Sequence, residues 1–309
     1  MQIDRLVQIA MDNGGLVTRR QALAAGVPNR FLTTLVRSGA LARVARGVYA
    51  VGSRLLADPG RIALGMAAVL SWQSAVAWYG VDLTQPVDLV HVTASRNRGR
   101  RADAIRGVRL HRADLRRGDV WVVRGVPVTS PLRTALDLAR HLPLEQGVAV
   151  VDAFIRAKLL TARTFADAAG RSAGPGRRRI QLVATLVDPQ SGSVLESLAR
   201  VLLWRHQLVP PRSQHAFRDP ATNWFGRLDF AWPDLKVALE CDGYEFHTER
   251  GPFQRDRRRW SALTRNGWHL GVVTWFDVTR DPDYVVRLVR DLLALESPPL
   301  HTTVTPAVA

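Results

Sequence analysis

Residues 227–243, Arg-Leu-Asp-Phe-Ala-Trp-Pro-Asp-Leu-Lys-Val-Ala-Leu-Glu-Cys-Asp-Gly, constrain the fold more than any other stretch of the chain. Two short apolar runs, 227–231 and 237–241, are separated by Trp-Pro-Asp-Leu, whose proline and aspartate favour a tight turn, so the pattern predicts a β-hairpin. Strands alternate faces, so Leu239 and Cys241 point one way while Glu240 and Asp242 point the other. The hairpin therefore brings Asp229 near Glu240 and Asp242. Carboxylates at the end of an apolar hairpin repel one another, and burying them unpaired is costly. A hard divalent cation removes that cost, because it takes oxygen ligands and cancels their charge. Glu196, on the apolar helix before the hairpin, is a candidate fourth member of this acid cluster. Mg²⁺ (or Mn²⁺) held this way orients a water and stabilises the charge that builds on a phosphodiester. The competing account is three surface acids on a hairpin edge, paired with nearby arginines.

The flanks extend this reading. Residues 192–206 form a helix with Leu195, Leu198, Ala199, Leu202 and Leu203 on one side. Residues 251–266 read as a very basic helix on which Arg257, Arg258 and Arg259 would grip phosphates. A buried strand is expected over 268–276 and a closing helix over 283–295. His247 stands five residues beyond Asp242. Residues 171–191 have the Gly, Pro and charge content of a linker entering a helix. Residues 298–309 have the composition of a disordered tail.

At the other end, residues 1–53 predict three short helices and a basic hairpin. Ile3, Leu6, Val7 and Ala10 recur at helical spacing. Thr18 can cap a second helix that Gly26 stops, and Pro28 suits the first turn of a third. Residues 41–50 read as two short strands. This is the pattern of a winged helix-turn-helix, whose third helix enters the major groove while the wing grips the backbone. Arg30 and Arg37 lie on that helix, and Arg43 and Arg46 in the wing. The competing account makes them solvated arginines on a helical cap used for protein contacts.

The middle, residues 58–170, predicts an α+β connecting domain. Two packed helices are expected over 61–81, with Trp72 and Trp78 in the core. Strands are expected over 88–93, 108–111 and 120–123. Ser130 before Pro131 marks a helix start, and 144–160 continues the helical pattern. The basic loop 95–101 reads as solvated. His91 and His111 sit singly on short strands and are read as ordinary residues.

A formal net charge of +16 predicts attraction to a polyanion, nucleic acid before an anionic membrane surface. Nearly every cation is arginine, with Lys158 and Lys236 the only lysines. That bias also follows from GC-rich coding. Cys241 is the only cysteine, which excludes an intrachain disulfide and a cysteine-based zinc site and fits a reducing cytoplasm. No signal peptide or membrane-spanning run is visible, so a cytoplasmic location without membrane association is expected.

The order of helix with Glu, strand with Asp, strand with Glu-x-Asp, basic helix, strand and helix resembles the PD-(D/E)XK nuclease superfamily. It is most similar to the very-short-patch-repair endonuclease-like group. The matching residues are Leu195-Glu-Ser197, Arg227-x-Asp229-Phe230, Leu239-Glu-x-Asp-Gly243, His247, Asp256-x-x-Arg259 and Gly267-Trp268. The resemblance covers about a third of the chain and implies a mixed sheet flanked by helices over 192–297. It implies Asp229 and Glu240 as principal Mg²⁺ ligands, with Glu196 in support and Asp242 at the position where the superfamily carries lysine. Gly15-x-Val-Thr-Arg19 and Arg46-Gly-Val-Tyr49 resemble the winged-helix domain of AbiEi-type antitoxins of type IV toxin–antitoxin systems. The motif Thr129-Ser-Pro-x-Arg-Thr-x-x-Asp137 looks like the segment that often joins the two modules. The chain thus reads as a multi-domain α/β protein. Its expected activity is that of a Mg-dependent DNA endonuclease, with Asp229, Glu240, Asp242 and His247 at the reaction centre. The alternative is an antitoxin-like transcriptional regulator with an inactive nuclease-like domain. DNA and a toxin or defence-system component are the expected partners, and the oligomeric state is left open.

Overall fold

The computed structural model describes residues 2–12, 16–45, 47–51, 59–96, 107–223, 225–243 and 260–295. His247, Arg46, Arg257, Arg258, Arg259 and the tail 298–309 lie outside the described residues. The chain is mixed α/β and divides into two compact units, residues 1–185 and 186–309. Among the described residues no helix is long and apolar enough to cross a membrane.

The first unit begins with α1 (Gln2–Asp12), β1 (Leu16–Thr18), α2 (Arg19–Ala24), α3 (Asn29–Arg37), β2 (Leu41–Ala45) and β3 (Val48–Val51). The strands form an antiparallel sheet of order β1-β3-β2, giving the element order of a winged helix. Thr18 and Gln21 form a reciprocal capping box that starts α2. Gly26 leaves that helix at φ +78, a left-handed conformation that glycine adopts without steric cost. Leu6, Val17, Ala22, Val27, Leu32, Leu35 and Leu41 close the core.

The rest of this unit adds α4 (Pro59–Gly65), β4 (Val69–Leu70), α5 (Trp72–Trp78), β5 (Val90–Ala94), β6 (Val108–Arg112), β7 (Val120–Val123) and β8 (Val126–Thr129). Helices α6 (Pro131–His141), α7 (Leu144–Arg156), α8 (Ala162–Gly170) and α9 (Arg177–Leu186) follow. The five strands run in the order β6-β5-β4-β8-β7, with β5–β6 and β4–β8 parallel and the other pairs antiparallel. Where two packed helices were expected over 61–81, β4 separates α4 from α5. Leu16 and Ala50 belong to the same buried cluster as Ile62, Ala63, Leu70, Val92 and Val128, so the N-terminal and middle segments share a core.

The second unit contains α10 (Val194–Arg205), β9 (Arg212–Arg218), β10 (Phe225–Trp232), β11 (Val237–Asp242), β12 (His269–Thr274), α11 (Trp275–Arg280) and α12 (Pro282–Leu295). The sheet is mixed, of order β12-β11-β10-β9, with β11–β12 parallel. The predicted hairpin is present as β10 and β11, joined by a 3₁₀ turn at Pro233–Leu235. Lys236 ends the turn just before β11. It takes φ +47 in the turn, and its Nζ donates to the Asn266 carbonyl at 3.3 Å. The expected strand over 268–276 stops at Thr274, which caps α11 in a capping box with Asp277.

Candidate functional site

The first candidate is the arginine face of α3. Leu32 and Leu35 are buried under the helix, whereas Asn29, Arg30, Thr33, Thr34 and Arg37 are exposed. Positions 30, 33, 34 and 37 share one side at a 3.6-residue repeat, so the solvent face is polar and cationic. The Thr33 and Thr34 hydroxyls are tied to the carbonyls of Asn29 and Arg30 at 3.1 and 3.0 Å. Arg19 Nε donates to Asn29 Oδ1 at 2.7 Å, which ties the start of α2 to the start of α3. The Arg19 amide donates to the Gly47 carbonyl at 2.6 Å, so the wing turn is docked against α2. Arg43 is exposed on β2. Between residues 13 and 53 the chain carries six arginines and no acid, so nothing in the segment itself neutralises this face.

The second candidate is the acidic hairpin. Asp229 Oδ2 accepts the Cys241 backbone N–H at 2.9 Å, and Asp229 Oδ1 accepts Gln214 Nε2 at 3.2 Å. The same Nε2 donates to Glu196 Oε2 at 2.9 Å, and that oxygen also accepts the Gly192 N–H at 2.7 Å. Glu196 is buried, and burial followed by the Asp229 charge pushes its carboxyl up, against the pull of the Gly192 hydrogen bond. The Cys241 thiol is pushed well up, by burial first and then by the charges of Asp229, Glu196 and Glu240, so it stays a thiol. Glu240 is half-buried and Asp242 exposed.

The structure therefore joins Glu196 to Asp229, and the atom that joins them belongs to Gln214, which the sequence did not single out. A divalent ion wants about six oxygens around one point. Here the point shared by the two carboxylates is taken by an amide N–H donor, which an ion bridging them would have to displace. Among the described residues no group of three or more His, Cys, Asp or Glu side chains is placed to hold a metal.

A third cluster was not anticipated. His91 and His111, read as separate residues, lie together on neighbouring strands with Nδ1 and Nε2 2.9 Å apart. Trp72 stacks on His111 at 4.2 Å and also approaches His141 at 4.8 Å. Burial first, and then neighbouring cationic groups, push both His91 and His111 down to about 4, so each is neutral near pH 7. Trp72 is half-buried rather than core and takes φ +54.

The motif 129–137 is structural. Ser130 Oγ caps α6, and Thr134 Oγ1 donates to the Thr129 carbonyl at 3.1 Å, as does Tyr79 Oη at 3.0 Å. Arg133 reaches Asp137 at 2.8 Å and Asp119 at 3.0 Å, fastening α6 to the turn before β7.

Comparison with known proteins places two family models on the chain. "Transcriptional regulator, AbiEi antitoxin" matches residues 4–52, and "AbiEi antitoxin C-terminal domain" matches residues 66–188. The Mycobacterium tuberculosis proteins MT2308 (strain CDC 1551 / Oshkosh) and Rv2248 (strain ATCC 25618 / H37Rv) are each 31% identical over 273 residues, covering 84% of this chain and 96% of the relative. The crystal structure of the RV2827C protein from the same species aligns at 16% identity and a TM-score of 0.41, over 72% of this chain and 90% of that one. At that score the likeness carries no weight.

Proposed function

Because the chain belongs to the family of the mycobacterial proteins MT2308 and Rv2248 and carries AbiEi antitoxin domains, we propose that it is a DNA-binding transcriptional regulator of the antitoxin type. One observation carries this reading: the exposed Arg30 and Arg37 on α3, in a segment without a single acid from residue 13 to 53. Such a helix enters the major groove with its polar face toward base edges, while Arg43 and the wing contact backbone phosphates. The gene it controls encodes a toxin or a defence-system component, its partner in function. The test is a gel shift on the DNA upstream of its own reading frame, together with a reporter fused to that DNA. Wild type shifts the fragment and represses the reporter, and the double substitution Arg30→Ala, Arg37→Ala does neither. Retention of both by the double variant would refute the proposal.

A hydrolytic role for the second unit is the other reading, with Mg²⁺ or Mn²⁺ at Asp229, Glu240 and Glu196. The approach of Glu196 and Asp229 to one atom favours it, and the identity of that atom counts against it. Nicking of supercoiled plasmid by wild type but not by Asp229→Ala would establish it. Intact plasmid with either metal would dismiss it.

A further inference from the structure

Gln214 does not sit in β9 as a normal strand residue. Its φ is +49, a left-handed region that is strained for a residue carrying a Cβ. The β9–β10 ladder pairs His215 with Leu228 and Ser213 with Phe230, and it skips the pair that Gln214 and Asp229 would make. The strand is distorted at the residue whose amide lies between the two carboxylates. Strain held against regular pairing needs a compensating interaction. Here it is one NH₂ group shared by Glu196 and Asp229 at 2.9 and 3.2 Å. Two carboxylate oxygens facing an amide select its NH₂ end over its carbonyl, which would repel them.

The surroundings are shaped for this arrangement. A Cβ at Gly192 would stand 2.9 Å from Glu196 Oε1 and 3.0 Å from Gln214 Nε2, so the Gly192 backbone approaches the pair only because it has no side chain. Ser193 Oγ accepts the Glu196 N–H at 3.0 Å and fixes the first turn of α10, from which Glu196 reaches back. The Cys241 N–H of β11 holds the other oxygen of Asp229. The acids are thus met from three elements by N–H donors, as a structural junction requires. An ion site would present oxygens.

We propose that the Gln214 amide stands where a divalent cation would otherwise bridge Glu196 and Asp229, making this pair a metal-independent lock between α10, β9, β10 and β11. It follows that Gln214→Glu, which replaces the donor by a third carboxylate at the shared point, converts the lock into a cation site. Three acids then converge, repel one another, and are relieved by a divalent ion.

The test uses the full chain and Mn²⁺ alone as probe, with free Mn²⁺ followed by electron paramagnetic resonance and unfolding followed by scanning fluorimetry. Wild type should unfold at the same temperature in chelator and in millimolar Mn²⁺, and should take up no Mn²⁺ that Asp229→Asn loses. Gln214→Glu should unfold earlier in chelator, recover in Mn²⁺, and bind the ion at least tenfold more tightly than wild type. Stoichiometric Mn²⁺ uptake by wild type that Asp229→Asn abolishes would overturn the proposal. So would a Gln214→Glu protein as stable as wild type and indifferent to Mn²⁺. If Gln214→Glu does not fold, the comparison of wild type with Asp229→Asn decides alone. DNA binding by α3 is independent of either result.

Discussion

Replacing Arg133 by alanine should destabilise the first unit by about 3 kcal/mol. The side chain forks to Asp137 at 2.8 Å and to Asp119 at 3.0 Å, with the three side chains between 16% and 25% exposed. A charge-assisted hydrogen bond is worth about 1.5–3 kcal/mol, and the partial exposure places these two near the lower end. Burial already pushes the Asp137 carboxyl up despite Arg133, so without the guanidinium Asp137 is left ionised and poorly solvated at neutral pH. For a unit of this size 1 kcal/mol shifts the melting temperature by about 2–4 °C, so a fall of about 6–12 °C is expected. The pH dependence has a definite sign. A raised carboxyl pKa favours the protonated folded form, so the deficit of the variant is largest at neutral pH and shrinks as Asp137 takes up its proton in acid. Arg133→Lys keeps the charge but not the fork, and should lose about half as much. Urea unfolding of the three proteins near pH 7 and pH 5 measures this. An Arg133→Ala unfolding free energy within about 0.5 kcal/mol of wild type would show that the motif 129–137 is not held by this bridge.

Two further outcomes follow from other parts of the first unit. His91 and His111 are depressed to about 4 from 6.5, so the stability they confer is complete above about pH 6.5 and is lost as pH falls toward 4. With half-exposed rings the combined effect is discounted to about 2 kcal/mol, and His111→Phe should flatten the acid limb of a stability–pH curve; an unchanged limb would contradict the assignment. Gly60→Ala places a Cβ 2.6 Å from Trp78 Cη2 and 2.8 Å from Val126 Cγ2. The Trp78 ring is tethered by its Nε1 bond to the Val123 carbonyl at 3.1 Å, so this overpacking should cost about 1–3 kcal/mol in chemical denaturation.

What was legible in the sequence was local. Thr18, Gly26 and the Ser130-Pro131 pair act through neighbours within one turn, and each marks a helix boundary in the structure. The hairpin 227–242 was readable because its turn and its alternation lie in one short run. Long-range pairing was not readable. Val69–Leu70 is too short to show a period, and it becomes a strand only because Val92, Thr93 and Val128 pair with it. Arg212–Arg218 is polar, and its strand character comes from β10. Pro127 in β8 argues against a central strand, yet β8 holds between β4 and β7. His91 and His111 meet because parallel register sets His111 beside Thr93, two residues along the same face as His91. Nothing local encodes that register. The role of Gln214 depends on a left-handed backbone inside a strand, which no residue pattern announces.

The central claim, that α3 and its wing grip DNA through arginine, is tested most directly by the salt dependence of binding to the upstream DNA. Each phosphate contact contributes a slope of about 0.9 in the logarithm of affinity against the logarithm of salt. The double variant Arg30→Ala, Arg37→Ala binds more weakly, and Arg43→Ala, which removes one phosphate contact, flattens the slope by about 0.9. An unchanged affinity and an unchanged slope would mean that the DNA, if bound at all, is held elsewhere on the chain.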